Sequence, residues 1–192
     1  MSDSEVQNNK IDMSNFRYKQ TKVTSSFMFV LLLIVADQIS KKAIVNNFEF
    51  NEKKTVIDNF FYLHYVRNTG SAFSLFADTS WGIYLLSAIS LVFGLFLLGI
   101  MVFSFLNEYN KIGICLGLIS AGAFGNLVDR FSLQYVIDFL RFDFGSYTFP
   151  IFNLADCFAV IGTILLIVCI LFDSKEFDGF WNMLFHRKKD SK

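Results

Sequence analysis

Four apolar stretches, at about 25–45, 81–106, 112–128 and 154–172, dominate the chain and leave few folds open to it. Each is close to the roughly 20 residues needed to cross a hydrocarbon core. Lipid offers no hydrogen-bond partners, so such segments must be helical. Carboxylates interrupt the pattern: Asp37 lies within the first stretch, Asp129 and Asp156 lie at the margins of the third and fourth, and Asp138 lies between those two. Ionisable groups at membrane depth are costly and point to function. The composition agrees, with 54% hydrophobic residues, 25 phenylalanines and a mean hydropathy of +0.46, more apolar than soluble domains usually are.

The chain carries no net charge at pH 7, so no basic surface argues for nucleic acid. Cys115, Cys157 and Cys169 all fall in apolar stretches, at spacings that match neither a zinc site nor a disulfide framework. They read as small buried hydrophobes, and no metal or cofactor is expected. Arg17, Lys19 and Lys22 precede the first stretch, Lys111 sits between the second and third, and Arg187, Lys188 and Lys189 follow the last. The positive-inside rule places these three regions in the cytoplasm. Both termini are then inside, and the loops 46–80 and 130–153 outside. A cleaved secretory signal is the competing account of the first stretch, because its apolar run before Asp37 is short and Ala36 is small. Cleavage would leave three spans with discordant flanking charge.

The expected organisation is a polar cytoplasmic extension over 1–24, disordered or loosely held through Lys22, a four-span domain over 25–173, and a cytoplasmic tail over 174–192. The aromatic run from Phe60 to Val66 is strand-prone. It leads into Arg67, Asn68, Thr69 and Gly70, where the glycine permits a turn. The fold class is therefore α-helical membrane protein, with four transmembrane helices and a small extracytoplasmic β-sheet cradle.

Several polar residues stand out by position. Asp37 and Lys41 are four apart on one helix face, acid first, which suits an ion pair holding helices in register. Gly113, Gly117, Ala121 and Gly125 form a small-residue stripe for close helix packing. Beside it, Gly122, Asn126 and Arg130 point an amide and a guanidinium toward the outer membrane edge. Asp138 lies among Val136, Ile137, Phe139 and Leu140, and could be either a surface acid paired with Arg141 or a buried functional group. Asn153 suits an N-cap, and Asp156 then falls in the first helical turn, where the dipole favours a carboxylate.

Asp138 and Asp156 lie on separate elements and could meet at the outer membrane edge. Close carboxylates cannot both ionise easily and share a proton. One then activates water and the other protonates the carbonyl or the leaving amine. This is aspartic peptidase chemistry and needs no metal. A serine or cysteine nucleophile is disfavoured because His64 and His186 are the only histidines. A proton-coupled transporter would spread its acids through the membrane depth, and a non-catalytic scaffold would tolerate Asp138→Asn.

Five blocks in order resemble bacterial lipoprotein signal peptidase (signal peptidase II). They are Asp37, Gln38, Ser40 and Lys41; Asn68, Gly70, Ala72 and Phe73; Gly122, Gly125, Asn126, Leu127, Asp129 and Arg130; Asp138 and Phe139; and Phe152, Asn153, Ala155 and Asp156. The resemblance implies an intramembrane aspartic endopeptidase of the bacterial inner membrane, acting as a monomer among membrane lipids. It would cut diacylglyceryl-modified prolipoproteins N-terminal to the lipidated cysteine. It implies Asp138 and Asp156 as the catalytic pair, Asn68, Gly70, Asn126, Arg130 and Asn153 at the substrate, and Asp37, Lys41 and Asp129 in support. Ala121 and Phe124 depart from the family's usual smaller residues.

Overall fold

The computed structural model describes residues 3–70 and 81–185, with side-chain surroundings from residue 13 onward. Ala72 and Phe73 of the outer-loop block, and the basic residues Arg187, Lys188 and Lys189, lie outside the described residues. In chain order the elements are α1 (Asp3–Asn47), β1 (Lys53–Ile57), β2 (Phe61–Asn68), α2 (Gly82–Leu106), α3 (Asn110–Leu133), β3 (Val136–Phe144), β4 (Tyr147–Thr148), α4 (Leu154–Phe172) and α5 (Ser174–Phe185). Helices α1 to α4 contain segments long and apolar enough to cross a membrane.

Helix α3 is the central span. Its side chains are mostly buried, whereas α2 and α4 turn most of their leucines, isoleucines and phenylalanines outward, as helices facing lipid do. The expected glycine stripe divides its work. Cβ atoms added at Gly113 and Gly117 would press on Phe105 of α2 and Phe29 of α1, and one at Gly125 would lie 2.8 Å from an Asp37 oxygen. Gly122, on the adjacent line, faces α4 so closely that a Cβ would lie 2.5 Å from the Ala155 carbonyl oxygen. These contacts set how near α4 approaches the central span.

The four strands form one antiparallel sheet in the order β1-β2-β3-β4. It is built from both expected outer loops, so both belong to the same end of the bundle. Strand β2 realises the aromatic run. A bulge between Leu63 and Val66 interrupts its pairing with β3, just where Val66 comes opposite Asp138. Bulges re-aim side chains, and Tyr65 within this one is buried with Ile44, Ile137 and Phe139 beneath the sheet. Gln134 ends α3 in the left-handed conformation, with its N–H returned to the Arg130 carbonyl, and the chain enters β3 directly.

One expectation about the ends is corrected and the other gains detail. The segment through Lys22, expected to be disordered or loosely held, continues α1 as helix to Asp3. Tyr18 and Lys22 both reach Glu108 in the α2–α3 turn, at 2.8 Å and 2.5 Å, which ties this end of the helix to the bundle. The tail expected after residue 173 begins with helix α5, whose Phe180 is buried against Tyr109 and Phe103.

Candidate active site

The site forms where β3, the C-terminal end of α3 and the N-terminus of α4 converge. Asn153 caps α4: its side chain accepts from the Asp156 N–H at 3.0 Å, and Asp156 accepts from the Asn153 N–H at 3.0 Å. This reciprocal box leaves neither side chain free to rotate. Asp156 is therefore fixed at the first turn of α4, with its other oxygen turned to Asn126, which donates to it at 2.8 Å.

Asp138 is 3% exposed on β3. The alternative of a surface acid paired with Arg141 does not occur, because Arg141 pairs with Asp143 at 2.9 Å. Asp138 instead accepts one N–H from Asn153 at 2.7 Å and one from Asn68 at 2.9 Å. Asn68 lies two residues beyond Val66 and so shares the sheet face of Asp138. The Gly70 N–H donates to the Asn68 side-chain oxygen at 3.0 Å. That contact turns the Asn68 amide so that its nitrogen meets the carboxylate.

Two amides join the aspartates. Asn153 donates to Asp138 and to the Asn126 oxygen at 2.9 Å, and Asn126 donates to Asp156. Burial pushes the Asp138 carboxyl up to about 7, the negative charge of Asp156 adds to the shift, and the bonds from Asn68 and Asn153 oppose it.

Beneath this pair lies a buried ionic knot. Lys41 has three N–H groups and three partners: Asp37 at 2.9 Å, Asp129 at 2.9 Å and the Asn126 oxygen at 3.0 Å. Each carboxylate also holds a backbone. Asp37 accepts the Ala155 N–H at 2.9 Å, and Asp129 accepts the Ile137 N–H at 3.0 Å. Ala155 immediately precedes Asp156 and Ile137 immediately precedes Asp138, so one lysine ties together the backbones that carry both aspartates. Gln38 completes the knot, donating to Asp37, Asp129 and the Gly125 carbonyl at 3.2, 2.9 and 3.1 Å. Its place in the first block marked it, but nothing in the sequence gave it a partner.

Arg130 is buried beside this cluster, with one guanidinium nitrogen 3.3 Å from Ser90 of α2. Its Nε is the one buried side-chain nitrogen or oxygen without a partner among the described residues. Sequence reasoning did not find Ser90, one of three serines in the apolar helix α2. All ten site and support residues expected from the sequence fall within this one region.

The family described as signal peptidase (SPase) II matches residues 29–172. A lipoprotein signal peptidase of Bacillus subtilis (strain 168) is 36% identical over 152 residues, covering 77% of this chain and 94% of that protein. Two solved structures described as a bacterial membrane enzyme are also similar. One has a TM-score of 0.65 at 26% identity, covering 88% of this chain and 95% of its own; the other has 0.66 at 29%, covering 78% and 94%.

Proposed function

The chain belongs to the signal peptidase II family, and from that premise we propose that it is an intramembrane aspartic endopeptidase with Asp138 and Asp156 as its catalytic pair. The family and the lipoprotein signal peptidase relative make it a multi-pass membrane peptidase of lipoprotein signal-peptide processing. The observation that carries the finer reading is the joining of the two aspartates through the amides of Asn126 and Asn153 at the sheet-bearing end of the bundle.

The division of labour follows from the surroundings. Asp138, with its carboxyl raised to about 7, holds the shared proton. Asp156, facing N–H donors from Asn126 and its own cap, serves as the base. Water loses a proton to Asp156 as its oxygen attacks the scissile carbonyl, while Asp138 protonates the carbonyl oxygen. Collapse of the tetrahedral species breaks the C–N bond: Asp156 passes the proton taken from water to the leaving amine, and the hydroxyl formed from the carbonyl oxygen returns its proton to Asp138. The substrates are diacylglyceryl-modified prolipoproteins, cut N-terminal to the lipidated cysteine. Such a substrate already lies in the bilayer and enters laterally between the spans. Arg130, with its unpartnered Nε, and the amides of Asn68, Asn126 and Asn153 orient the peptide, while Gly70 holds Asn68. Asp37, Lys41 and Asp129 act in support. In the membrane both termini are cytoplasmic, the site faces the extracytoplasmic side, and the protein works as a monomer.

Intact-mass analysis after incubation of the purified protein with a diacylglyceryl-modified prolipoprotein tests the substrate and the bond. The expected product begins at the lipidated cysteine, and the unmodified precursor stays whole. A cut elsewhere, or equal processing of both precursors, contradicts the reading.

A further inference from the structure

Helix α5 begins at Ser174, with only Asp173 between it and α4, and lies beyond the family match at 29–172. One edge of it docks on the protein. Glu176 accepts from the Lys111 N–H at 2.9 Å and the Ile112 N–H at 3.4 Å, capping α3. Phe180 is buried against Tyr109 and Phe103, and Gly179 passes so near Tyr109 that an added Cβ would lie 3.2 Å from its ring. Lys111 also pairs with Asp173 between α4 and α5. The position of α5 relative to the end of α4 is therefore fixed.

The other edge is uncovered. At about 100° per residue, Leu184, Trp181 and Phe185 follow Phe180 around one continuous apolar arc. Trp181 and Phe185 are 47% and 60% exposed, with their rings 4.3 Å apart, and Phe172, at the end of α4, is 83% exposed. Lys175 and Asn182 lie across the helix from this arc, Asp178 borders it next to Phe185, and Met183, 48% exposed, stands apart from it. The sequence then continues with His186, Arg187, Lys188, Lys189, Asp190, Ser191 and Lys192, four bases against one acid. An amphipathic helix with tryptophan on its apolar face, held at a span's end and followed by basic residues, matches the chemistry of a charged bilayer interface.

We propose that the Trp181–Leu184–Phe185 edge of α5 seats in the interfacial layer of the leaflet where α4 ends, and that the basic residues after it recruit anionic phospholipid headgroups. The proposal rests on α4 crossing the bilayer, not on the peptidase reading, and its readout is independent of cleavage. The chain has two tryptophans, so Trp81→Phe leaves Trp181 as the sole fluorophore. The full-length variant is placed in vesicles of phosphatidylcholine alone or of phosphatidylcholine with phosphatidylglycerol, with lipids brominated near the glycerol or near the chain end. Quenching should be stronger with bromine near the glycerol and stronger again with phosphatidylglycerol. The combined substitution Arg187→Glu, Lys188→Glu and Lys189→Glu should remove the phosphatidylglycerol increment. Should Trp81→Phe fail to fold, the difference in quenching between the unsubstituted protein and Trp181→Phe gives the same quantity. Absence of quenching, as expected if a second copy or a soluble partner covers the edge, overturns the proposal. So does quenching chiefly by bromine near the chain end, or equal quenching in the two lipid mixtures.

Discussion

At the sheet-bearing end of the bundle, Lys41, Asp37 and Asp129 are 1%, 0% and 1% exposed and touch one another. At the opposite end the buried residues include Met101, Ile112 and Leu116, packed with Phe180 of α5 in one apolar cluster. Both ends exclude solvent, but they hold their elements differently. Apolar packing depends on volume and tolerates exchanges that conserve it. The ionic knot depends on direction: each oxygen of Asp37 and Asp129 has a named donor, and two of those donors are the backbone N–H groups preceding Asp156 and Asp138. Buried charge is a costly way to stabilise a fold. Its use here coincides with the two aspartates proposed as the catalytic pair.

Substitutions of similar size should therefore have unequal effects at the two ends. Lys41→Met keeps the volume but strands two buried carboxylates. It should destabilise the protein by about 3–5 kcal/mol, read as a large fall in the thermal midpoint in detergent. Gly122→Ala pushes a methyl against the Ala155 carbonyl, next to Asp156. It should cost about 1–3 kcal/mol and lower kcat more than it raises KM, because the displaced element carries the proposed base.

The proton on Asp138 gives a pH test confined to the polar end. Its folded carboxyl lies at about 7, above the ordinary carboxylate range, so the native state binds this proton more tightly than the unfolded chain does. Its protonated form favours folding, and that contribution is lost as pH rises from about 4 to about 7. In the proposed mechanism cleavage needs the same proton, so kcat/KM should fall above pH 7 by about tenfold per unit. A profile still flat at pH 9 would contradict the assignment of the proton to Asp138. The smallest effect belongs to the apolar end. Met101→Leu should cost under about 1.5 kcal/mol and leave the pH profile unchanged. A cost matching that of Lys41→Met would erase the contrast between the two ends.

The spans and the residues of the site were legible for a physical reason. Carboxylates and amides inside or beside apolar helices are rare enough to draw attention, and the order of the five blocks grouped them. Asn153 as the cap of α4 followed from its place just before the apolar run. The partners were not legible. The sequence placed Asp37 and Lys41 on one face, but not the link from Lys41 through Asp129 to the backbone of β3, which depends on how α3 ends at Gln134. Ser90 gave no signal, because serines in apolar helices usually bond to their own backbone, as Ser87 and Ser104 of α2 do. Helix α5 was missed because its twelve residues follow a span and precede basic residues, a pattern that also fits a polar tail. The helix at Asp3–Lys22 was missed because its sequence is mostly polar, with no sustained apolar run.

The most direct test of the account is cleavage of a diacylglyceryl-modified prolipoprotein by Asp138→Asn and by Asp156→Asn, each measured beside the unsubstituted protein and shown to be folded by its thermal midpoint. The account predicts that the unsubstituted protein cleaves and that each substitution alone removes cleavage while the fold persists. Cleavage that survives in either folded variant would contradict the assignment of the catalytic pair.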